Sequence, residues 1–254
     1  LFWPGSDGLL PSLVTDPDWP HQDRSVCELN DFARQHMTAW IESQLPEKSP
    51  LREKVVPDYP PFVKRMLQDN GSWLRALQQD NADLITDAIT RIEEQGIVCG
   101  DTLHEVDVII YATGFDNHRW LYPINIVGRE GKVLANEWGD DPQANLGITV
   151  PGYPNLFCIY GPATNLAHAG SLVFNSECQV RYILGCIGAI LENDCQLMEC
   201  TEEANAEYNE RLQEWVKQLV WANGSTNNWY KNSKGKVTAN LPWRLVDYWQ
   251  WTRE

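Results

Sequence analysis

The chain has 254 residues, of which 43% are hydrophobic and 22% charged, a composition typical of a globular protein with a sizeable core. Its 35 acidic residues outnumber its 20 basic ones, so the formal net charge is −15. A surface this negative repels phosphate backbones and anionic lipid, which argues against nucleic-acid and membrane partners.

Cysteine spacing and hydropathy limit the class of protein further. The seven cysteines form neither a C-x-x-C pair nor a Cys/His spacing typical of zinc, so we expect reduced thiols in a cytoplasmic protein and no metal site. The longest apolar run, 182–191, is about half the length that a bilayer span requires, so no anchor is expected. The chain opens with Leu1-Phe2-Trp3-Pro4 rather than methionine, from which we expect a fragment of a longer protein.

The first part of the chain predicts short helices between irregular, proline-rich segments. Residues 1–30 are rich in Pro, Asp and Gly, which indicates irregular surface structure. Asn30 and Asp31 are candidate caps of a helix that ends at Pro46. One face of this helix is expected to carry Phe32, His36, Trp40 and Ile41. Ser72 is the candidate cap of a second, short helix.

From residue 84 the pattern changes to short β-branched runs. Two of these runs, 88–92 and 97–98, flank a Glu-Glu-Gln-Gly turn, which predicts a β-hairpin. A further strand is predicted over 106–111. The continuous apolar run 156–160 is typical of a buried parallel strand.

Two long helices are predicted after Gly170. The first follows Ser171, and its buried side is expected to comprise Leu172, Val173, Val180, Ile183, Leu184, Ile187 and Leu191. The second begins after Thr201, a good N-cap residue with acidic residues in the next turn. Its apolar stripe is expected to comprise Ala204, Tyr208, Leu212, Trp215 and Leu219. Strands that alternate with helices and end in glycine loops predict an α/β fold.

The chain contains no glycine-rich dinucleotide loop of its own. Neither G-x-G-x-x-G nor G-x-x-x-x-G-K-[ST] occurs anywhere in the sequence. The chain therefore cannot by itself supply the strand–loop–helix unit that presents backbone N–H groups to a pyrophosphate.

Several motifs nevertheless resemble those of flavin enzymes. The run 107–116, D-V-I-I-Y-A-T-G-F-D, resembles the D-x-x-x-x-A-T-G-[FY] signature of flavoproteins with two dinucleotide-binding domains. The segment 59–65, Y-P-P-F-V-K-R, is similar to the Y-P-x-x-x-K-R segment of Baeyer–Villiger monooxygenases, and 228–230, N-W-Y, is similar to their late S-W-Y element. Further motifs that match in order are Trp138, Leu146-Gly147, Pro154-Asn155-Leu156-Phe157 and Gly161-Pro162.

Within that family, the chain most resembles the 4-hydroxyacetophenone monooxygenase branch, through 161–171, 177–183 and 247–249. The resemblance implies the carboxy-terminal portion of an α/β, Rossmann-like flavoprotein that binds FAD and NADPH, with a helical insertion. Residues 1–111 would complete the NADPH-binding domain, and 112–254 would complete the FAD-binding domain and tail. The implied reaction inserts one oxygen atom of O2 into a ketone, converting an aryl ketone into an ester.

The resemblance also implies roles for the two cations of the Y-P-x-x-x-K-R segment and for the late tryptophan. Arg65 would be catalytic, because a guanidinium keeps its charge and can stabilise the flavin peroxide and the alkoxide that follows. Lys64 would bind the 2′-phosphate of NADPH. Trp229 would close over the nicotinamide nucleotide with its flat indole.

The remaining implied site residues are small or lie at a helix start. Ala112, Thr113 and Gly114 would let the chain pass close to a cofactor where it crosses between the two domains. The other implied cofactor-binding residues are Gly161 and Gly170, which bound a loop, and Ser171 and Leu172, which begin the helix after that loop.

That helix start would place partial positive charge near the flavin pyrimidine. His168, in the loop before it, is given no role. Two alternatives stay open at this point. The parent could be a related flavin monooxygenase that oxygenates nitrogen or sulfur, or this chain could be catalytically silent because it lacks both glycine loops.

Overall fold

The computed structural model describes residues 8–66, 69–167, 170–224 and 226–253. By packing, the described residues form two compact units. The first contains 8–34, 59–66 and residues from 117 onward, and the second contains 35–58 and 69–116. This packing does not test which cofactor each part would bind, so the division at 111/112 stays a prediction.

Seven helices and three strands are assigned in the described residues. The helices are α1 (Glu28–Ser43), α2 (Leu51–Val55), α3 (Ser72–Leu77), α4 (Leu134–Trp138), α5 (Leu172–Glu192), α6 (Glu202–Val216) and α7 (Leu245–Trp251). The strands are β1 (Ile89–Glu93), β2 (Gly96–Cys99) and β3 (Thr102–Glu105). Short 3-10 turns lie at Leu10–Ser12, Arg129–Gly131 and Val220–Ala222.

The second unit contains the predicted hairpin. β1 and β2 pair antiparallel with Ile92 opposite Ile97, which confirms it. β3 adds a third antiparallel strand, which was not predicted because its sequence, T-L-H-E, lacks a β-branched run. A small core in the same unit is built on Leu45, Val55 and Leu74.

The helices α1 and α3 form where they were predicted, but their predicted caps are wrong. Asn30 lies inside α1 and is buried, and its amide donates to the carbonyl of Ser12 at 2.9 Å. Asp31 is also buried inside α1 and is ion-paired with Arg24 at 3.0 Å. Both polar side chains therefore fix the first part of α1 within the first unit instead of capping the helix.

At α3, the carboxylate of Asp69 accepts the backbone N–H groups of Ser72, at 3.1 Å, and of Trp73, at 2.9 Å. Asp69, not Ser72, therefore satisfies the free N–H groups at the start of α3. The Ser72 hydroxyl also donates to this carboxylate. That bond, together with the backbone bonds, lowers the pKa of the Asp69 carboxyl.

Two predicted strands are not formed among the described residues. Residues 106–111 belong to no assigned strand, and Ile110 is 85% exposed. Residues 156–160 likewise form no assigned strand: Leu156 donates to the Tyr153 carbonyl in a turn at 3.2 Å, Cys158 donates to the Ile148 carbonyl at 2.8 Å, and Tyr160 has a φ of +55°. An apolar run becomes a strand only beside a second strand that accepts its hydrogen bonds.

The first unit has its own apolar core and contains the two long helices. One of its apolar clusters comprises Leu134, Trp138, Ala144, Val150, Tyr153 and Cys158. α6 forms as predicted, with the Thr201 hydroxyl accepting the N–H of Ala204 at 3.2 Å. It buries Tyr208 and Leu212, whereas Trp215, predicted to be in the stripe, is exposed.

The face that α5 buries is opposite in character to the prediction. Ser171 caps the helix as expected, but the buried residues are Asn175, Cys178, Gln179 and Cys186. Of the apolar residues predicted to be buried, Ile183 is half-buried and the others are exposed. The buried side is polar because it hydrogen-bonds to turns of the first unit.

All seven cysteines are free thiols, and burial raises the pKa of Cys158 to about 11. Within the described ranges, no helix is long and apolar enough to cross a membrane. The same part of the chain holds no group of three or more acidic, Cys or His side chains that could bind a metal ion.

Candidate functional site

Two glycine turns cross each other at the centre of the first unit. A Cβ on Gly161 would lie 2.2 Å from the carbonyl oxygen of Gly147. A Cβ on Gly147, whose φ is +68°, would lie 2.2 Å from the Thr164 methyl carbon. Because backbone passes against backbone here, neither position accepts a side chain without displacing the other turn.

The residues around this crossing are held in an unfavourable backbone conformation. Leu146, Tyr160 and Ala163 have φ values of +55°, +55° and +57°, although none of them is glycine. Such conformations cost on the order of 1–3 kcal/mol each and persist only where the surroundings fix them.

A buried glutamine of α5 provides part of that fixation. The side-chain oxygen of Gln179 accepts the N–H of Tyr160 at 2.8 Å, and its amide donates to the Tyr248 hydroxyl at 3.1 Å. That hydroxyl in turn donates to the carbonyl of Leu146 at 2.6 Å. One chain of hydrogen bonds through α5 and α7 therefore holds both strained residues that precede the crossing glycines.

The segment 237–241 holds the same turn from another side. The N–H groups of Ala163 and Asn165 donate to the carbonyls of Thr238 and Ala239, each at 2.9 Å. Thr238 also donates its N–H to the carbonyl of Tyr230 at 3.0 Å. Through Thr238, backbone hydrogen bonds therefore connect the turn after Gly161 to Tyr230, the residue next to Trp229.

Arg65 lies at the end of a short segment, 61–65, whose first three residues are held by burial and by a hydrogen bond. Phe62 and Val63 are buried, and Phe62 has a φ of +68°, which turns the chain sharply. The carbonyl of Pro61 accepts the buried amide of Asn30 at 3.2 Å. The next two residues, Lys64 and Arg65, are exposed. The anchored turn therefore presents both cations at the surface of the first unit.

The guanidinium of Arg65 lies within electrostatic reach of the glycine crossing. Burial raises the pKa of the Tyr160 phenol, and the positive charge of Arg65 lowers it in part. Burial likewise raises the pKa of Tyr230, and Arg65 again acts in the lowering direction. Arg65 makes no ion pair or hydrogen bond with any residue that the structure describes.

Lys64 directly precedes Arg65 in the sequence. Trp229 directly precedes Tyr230, whose phenol is influenced by the charge of Arg65. The Lys64 ammonium lies 4.7 Å from the centroid of the Tyr59 ring, a cation–π contact. Trp229 is 39% exposed, and its ring lies 5.1 Å from that of Tyr230, which is itself buried. The Trp229 carbonyl accepts the side-chain amide of Asn117 at 2.5 Å. The indole is thus fixed at its base and open to solvent on part of its surface.

The start of α5 has the features of an acceptor-binding helix end. The Ser171 hydroxyl accepts the N–H of Phe174 at 3.2 Å. The N–H groups of Leu172 and Val173 donate to no described acceptor. Gly170 has a φ of +117°, and a Cβ there would lie 2.6 Å from a methyl of Leu245, so this entry to the helix requires glycine.

Replacing Ser171 by alanine is expected to lower the free energy of unfolding by about 1 kcal/mol, because one N–H at the start of α5 loses its acceptor. Urea unfolding followed by circular dichroism measures this change. Ser176→Ala, inside the same helix and without a cap bond, is the matched control and is expected to be nearly neutral. Equal losses in the two variants would contradict the capping role.

Three predicted residues lie in the other unit. Ala112, Thr113 and Gly114 are exposed, and Gly114 has a φ of +94°, which favours glycine. Their role at a domain crossing stays a prediction. His168, to which we gave no role, lies outside the described residues.

The first unit therefore contains the other predicted site residues, and the structure adds three that sequence reasoning missed. Tyr160, Tyr230 and Gln179 were not predicted as site residues. Gln179 lies inside a segment that carried the resemblance and Tyr160 lies between two such segments, but no pattern distinguished either residue from its neighbours. Tyr230 follows the predicted Trp229 directly, and adjacency was the available signal.

Comparison with known proteins finds similarity to monooxygenases. No protein-family model matches the chain. The chain is 40% identical over its whole length to an uncharacterised monooxygenase, y4iD, of Sinorhizobium fredii, and covers 38% of that protein. It is 35% identical over 71% of its length to a Baeyer–Villiger monooxygenase of Pseudomonas aeruginosa, of which it covers 34%.

The chain is homologous to part of these monooxygenases. The crystal structure of OTEMO in complex with FAD and NADP matches 89% of the chain with a TM-score of 0.76 and 25% identity, over 42% of that protein. This likeness confirms the predicted fold class, an α/β chain that corresponds to the carboxy-terminal portion of such a monooxygenase. The chain thus spans less than half the length of the monooxygenases it matches.

Proposed function

We propose that this chain is part of an FAD- and NADPH-dependent monooxygenase that inserts one oxygen atom of O2 into an aryl ketone to give an ester. The observation that carries the proposal is Arg65, a cation without a described carboxylate partner, next to Tyr160 and the glycine crossing. The homology to monooxygenases and the Y-P-x-x-x-K-R segment support it.

The start of α5 would offer hydrogen-bond donors to an FAD isoalloxazine. The free N–H groups of Leu172 and Val173 would donate to the oxygens of the flavin pyrimidine. Bound FAD, once reduced, supplies the chemistry that activates O2.

In this proposal, Arg65 stabilises negative charge that develops on oxygen. The guanidinium stays protonated throughout the reaction, and its planar N–H groups can donate to the ketone oxygen as that oxygen becomes anionic. The hydrogen bonds through Gln179 hold Tyr160, and hence the neighbouring turn, at a fixed position beside it. Oxygenation of nitrogen or sulfur needs no such cation, which is why we favour a ketone.

Lys64 and Trp229 are proposed to hold NADPH. The ammonium of Lys64 would pair with the 2′-phosphate, which favours NADPH over NADH. The exposed part of the Trp229 indole would lie against the nicotinamide nucleotide. Both residues belong to the same unit as Arg65. The free thiols of the chain and the use of NADPH together favour a cytoplasmic protein.

The test is a chimera in which this chain replaces the matching segment of the Sinorhizobium fredii monooxygenase. The chimera is expected to bind FAD, to consume NADPH and to convert 4-hydroxyacetophenone into its ester, as measured by mass spectrometry of the products. A chimera that binds FAD and oxygenates amines or sulfides, but no ketone, would overturn the proposed substrate class.

A further inference from the structure

The direction in which the Trp229 indole points is set mainly by the backbone that carries it. Among the described residues, the indole N–H has no acceptor, and its ring contact is with Tyr230, at 5.1 Å and an angle of 39°. The residue is 39% exposed, so packing encloses it incompletely. Whatever fixes the backbone at Trp229 therefore also fixes the indole.

The peptide group between Trp229 and Tyr230 is hydrogen-bonded through both of its polar atoms. The carbonyl oxygen of Trp229 accepts the side-chain amide of Asn117 at 2.5 Å. The N–H of Tyr230 donates to the side-chain oxygen of Asn228 at 3.0 Å. Because a peptide group is planar, holding its C=O and its N–H together fixes its orientation and restricts backbone rotation at Trp229.

These two hydrogen bonds differ in what they connect. Asn228 is adjacent to Trp229, and its own amide donates to the carbonyl of Trp221 at 3.3 Å, so it shapes the local turn. Asn117 is 112 residues away from Trp229 in the sequence. Of the two bonds, the one from Asn117 therefore ties the peptide group to a distant segment of the first unit.

The residue after Asn117 holds the opposite side of the same hairpin. Residues 231 and 237 are antiparallel bridge partners, and the N–H of Thr238 donates to the carbonyl of Tyr230 at 3.0 Å. The Nδ1 atom of His118 lies 3.0 Å from the Thr238 hydroxyl. Two successive residues, Asn117 and His118, therefore contact both sides of the hairpin that begins next to Trp229.

We propose that Asn117 is a positioning residue for Trp229, whose indole it holds in place by donating its side-chain amide to the carbonyl beneath the ring. The proposal rests on the proposed function for its ligand, the nicotinamide nucleotide. An indole that is already fixed loses less conformational freedom when the nucleotide binds, so the bond from Asn117 raises the affinity. Asn117 acts through Trp229 and not on the reacting atoms, so its loss affects binding more than turnover.

The first test measures how firmly the indole is held in this chain alone. Asn117→Asp keeps the size of the side chain but replaces the N–H donors by a carboxylate, which repels the Trp229 carbonyl. Hydroxyl-radical labelling, read by mass spectrometry of the peptide that contains Trp229, reports the exposure of this tryptophan. Labelling is expected to rise about twofold, since Trp229 is already 39% exposed.

Asn136→Asp is the matched control for the labelling. Asn136 is exposed on α4 in the same unit, and its side chain bonds to no described residue. The control makes the same chemical change and adds the same charge, so it is expected to leave the labelling of Trp229 unchanged.

The second test measures the KM for NADPH in the FAD-loaded chimera. Asn117→Ala is expected to raise this KM about three- to tenfold, and Asn117→Asp at least about tenfold, with kcat within about twofold of the parent value. Asn117→Gln keeps the amide donors on a longer side chain and is expected to recover part of the affinity. Asn136→Asp is again expected to match the parent.

The outcomes separate this proposal from the proposed function. Unchanged labelling of Trp229 in Asn117→Asp would overturn the positioning role, and so would raised labelling with an unchanged KM for NADPH. Loss of FAD, or a fall in kcat as large as the rise in KM, would assign Asn117 a general structural role instead. An unmutated chimera that binds FAD but oxidises no NADPH would count against the proposed function. The labelling would still decide whether Asn117 holds the indole.

Discussion

Replacing Arg65 by alanine in the FAD-loaded chimera is expected to lower ketone oxygenation by at least about a hundredfold, while FAD stays bound. The physical reason is that the alanine variant lacks the permanent positive charge facing Tyr160 and the glycine crossing. The measurement compares ester formed with NADPH consumed, together with flavin absorbance to show retained cofactor. Normal ester output from an FAD-loaded Arg65→Ala protein would remove Arg65 from the mechanism.

Two comparisons separate a catalytic effect of Arg65 from a structural one. Arg65→Lys keeps a charge but loses the planar pair of donors, and is expected to recover only part of the activity. In the isolated chain, Arg65→Met is expected to raise the pKa of Tyr160 and Tyr230, since a positive charge that favours the phenolate is removed. Absorbance near the phenolate band during alkaline titration would report that shift without any flavin present.

Replacing Gly161 by alanine is expected to cost about 2–3 kcal/mol of unfolding free energy. The added methyl carbon would lie 2.2 Å from the carbonyl oxygen of Gly147 and 2.9 Å from the Cys158 side chain. Since the first of these atoms belongs to backbone, one of the two turns must move. Urea unfolding followed by tryptophan fluorescence measures the loss.

Gly185→Ala is the matched control for this prediction. Gly185 lies in the middle of α5, and a Cβ there would meet nothing within 4 Å. Alanine is a better helix former than glycine, so this variant is expected to be more stable by about 0.5–1 kcal/mol. A Gly161→Ala protein as stable as the Gly185→Ala protein would show that the crossing tolerates a side chain.

Sequence patterns located most of the helices and the hairpin, and they selected residues for the candidate site whose roles stay predictions. The hairpin at Gly96 and the caps at Ser171 and Thr201 depend on local chemistry, which a sequence carries directly. The motif residues could be found for the same reason, since Lys64-Arg65 and Trp229 lie in short linear matches. Their spatial grouping in one unit had no linear signal.

The failures occurred where the outcome depends on a partner. An apolar run such as 156–160 predicts a strand, but the prediction says nothing about whether another strand lies beside it. The periodicity of α5 predicts a buried apolar face, whereas in the described residues Gln179 and Asn175 occupy the buried side. The polar side faces inward because turn residues such as Tyr160 need its hydrogen-bonding atoms. That need is created by the tertiary structure and is absent from the helix sequence.

The chain of hydrogen bonds from Leu146 through Tyr248 and Gln179 to Tyr160 consists of uncharged groups. Burial raises the pKa of the Tyr248 hydroxyl far above its ordinary range, so this donor keeps its proton in any physiological medium. An amide side chain does not titrate at all. The hydrogen bonds that hold Leu146 and Tyr160 are therefore insensitive to acidity, so the glycine crossing is expected to keep its geometry across the physiological pH range.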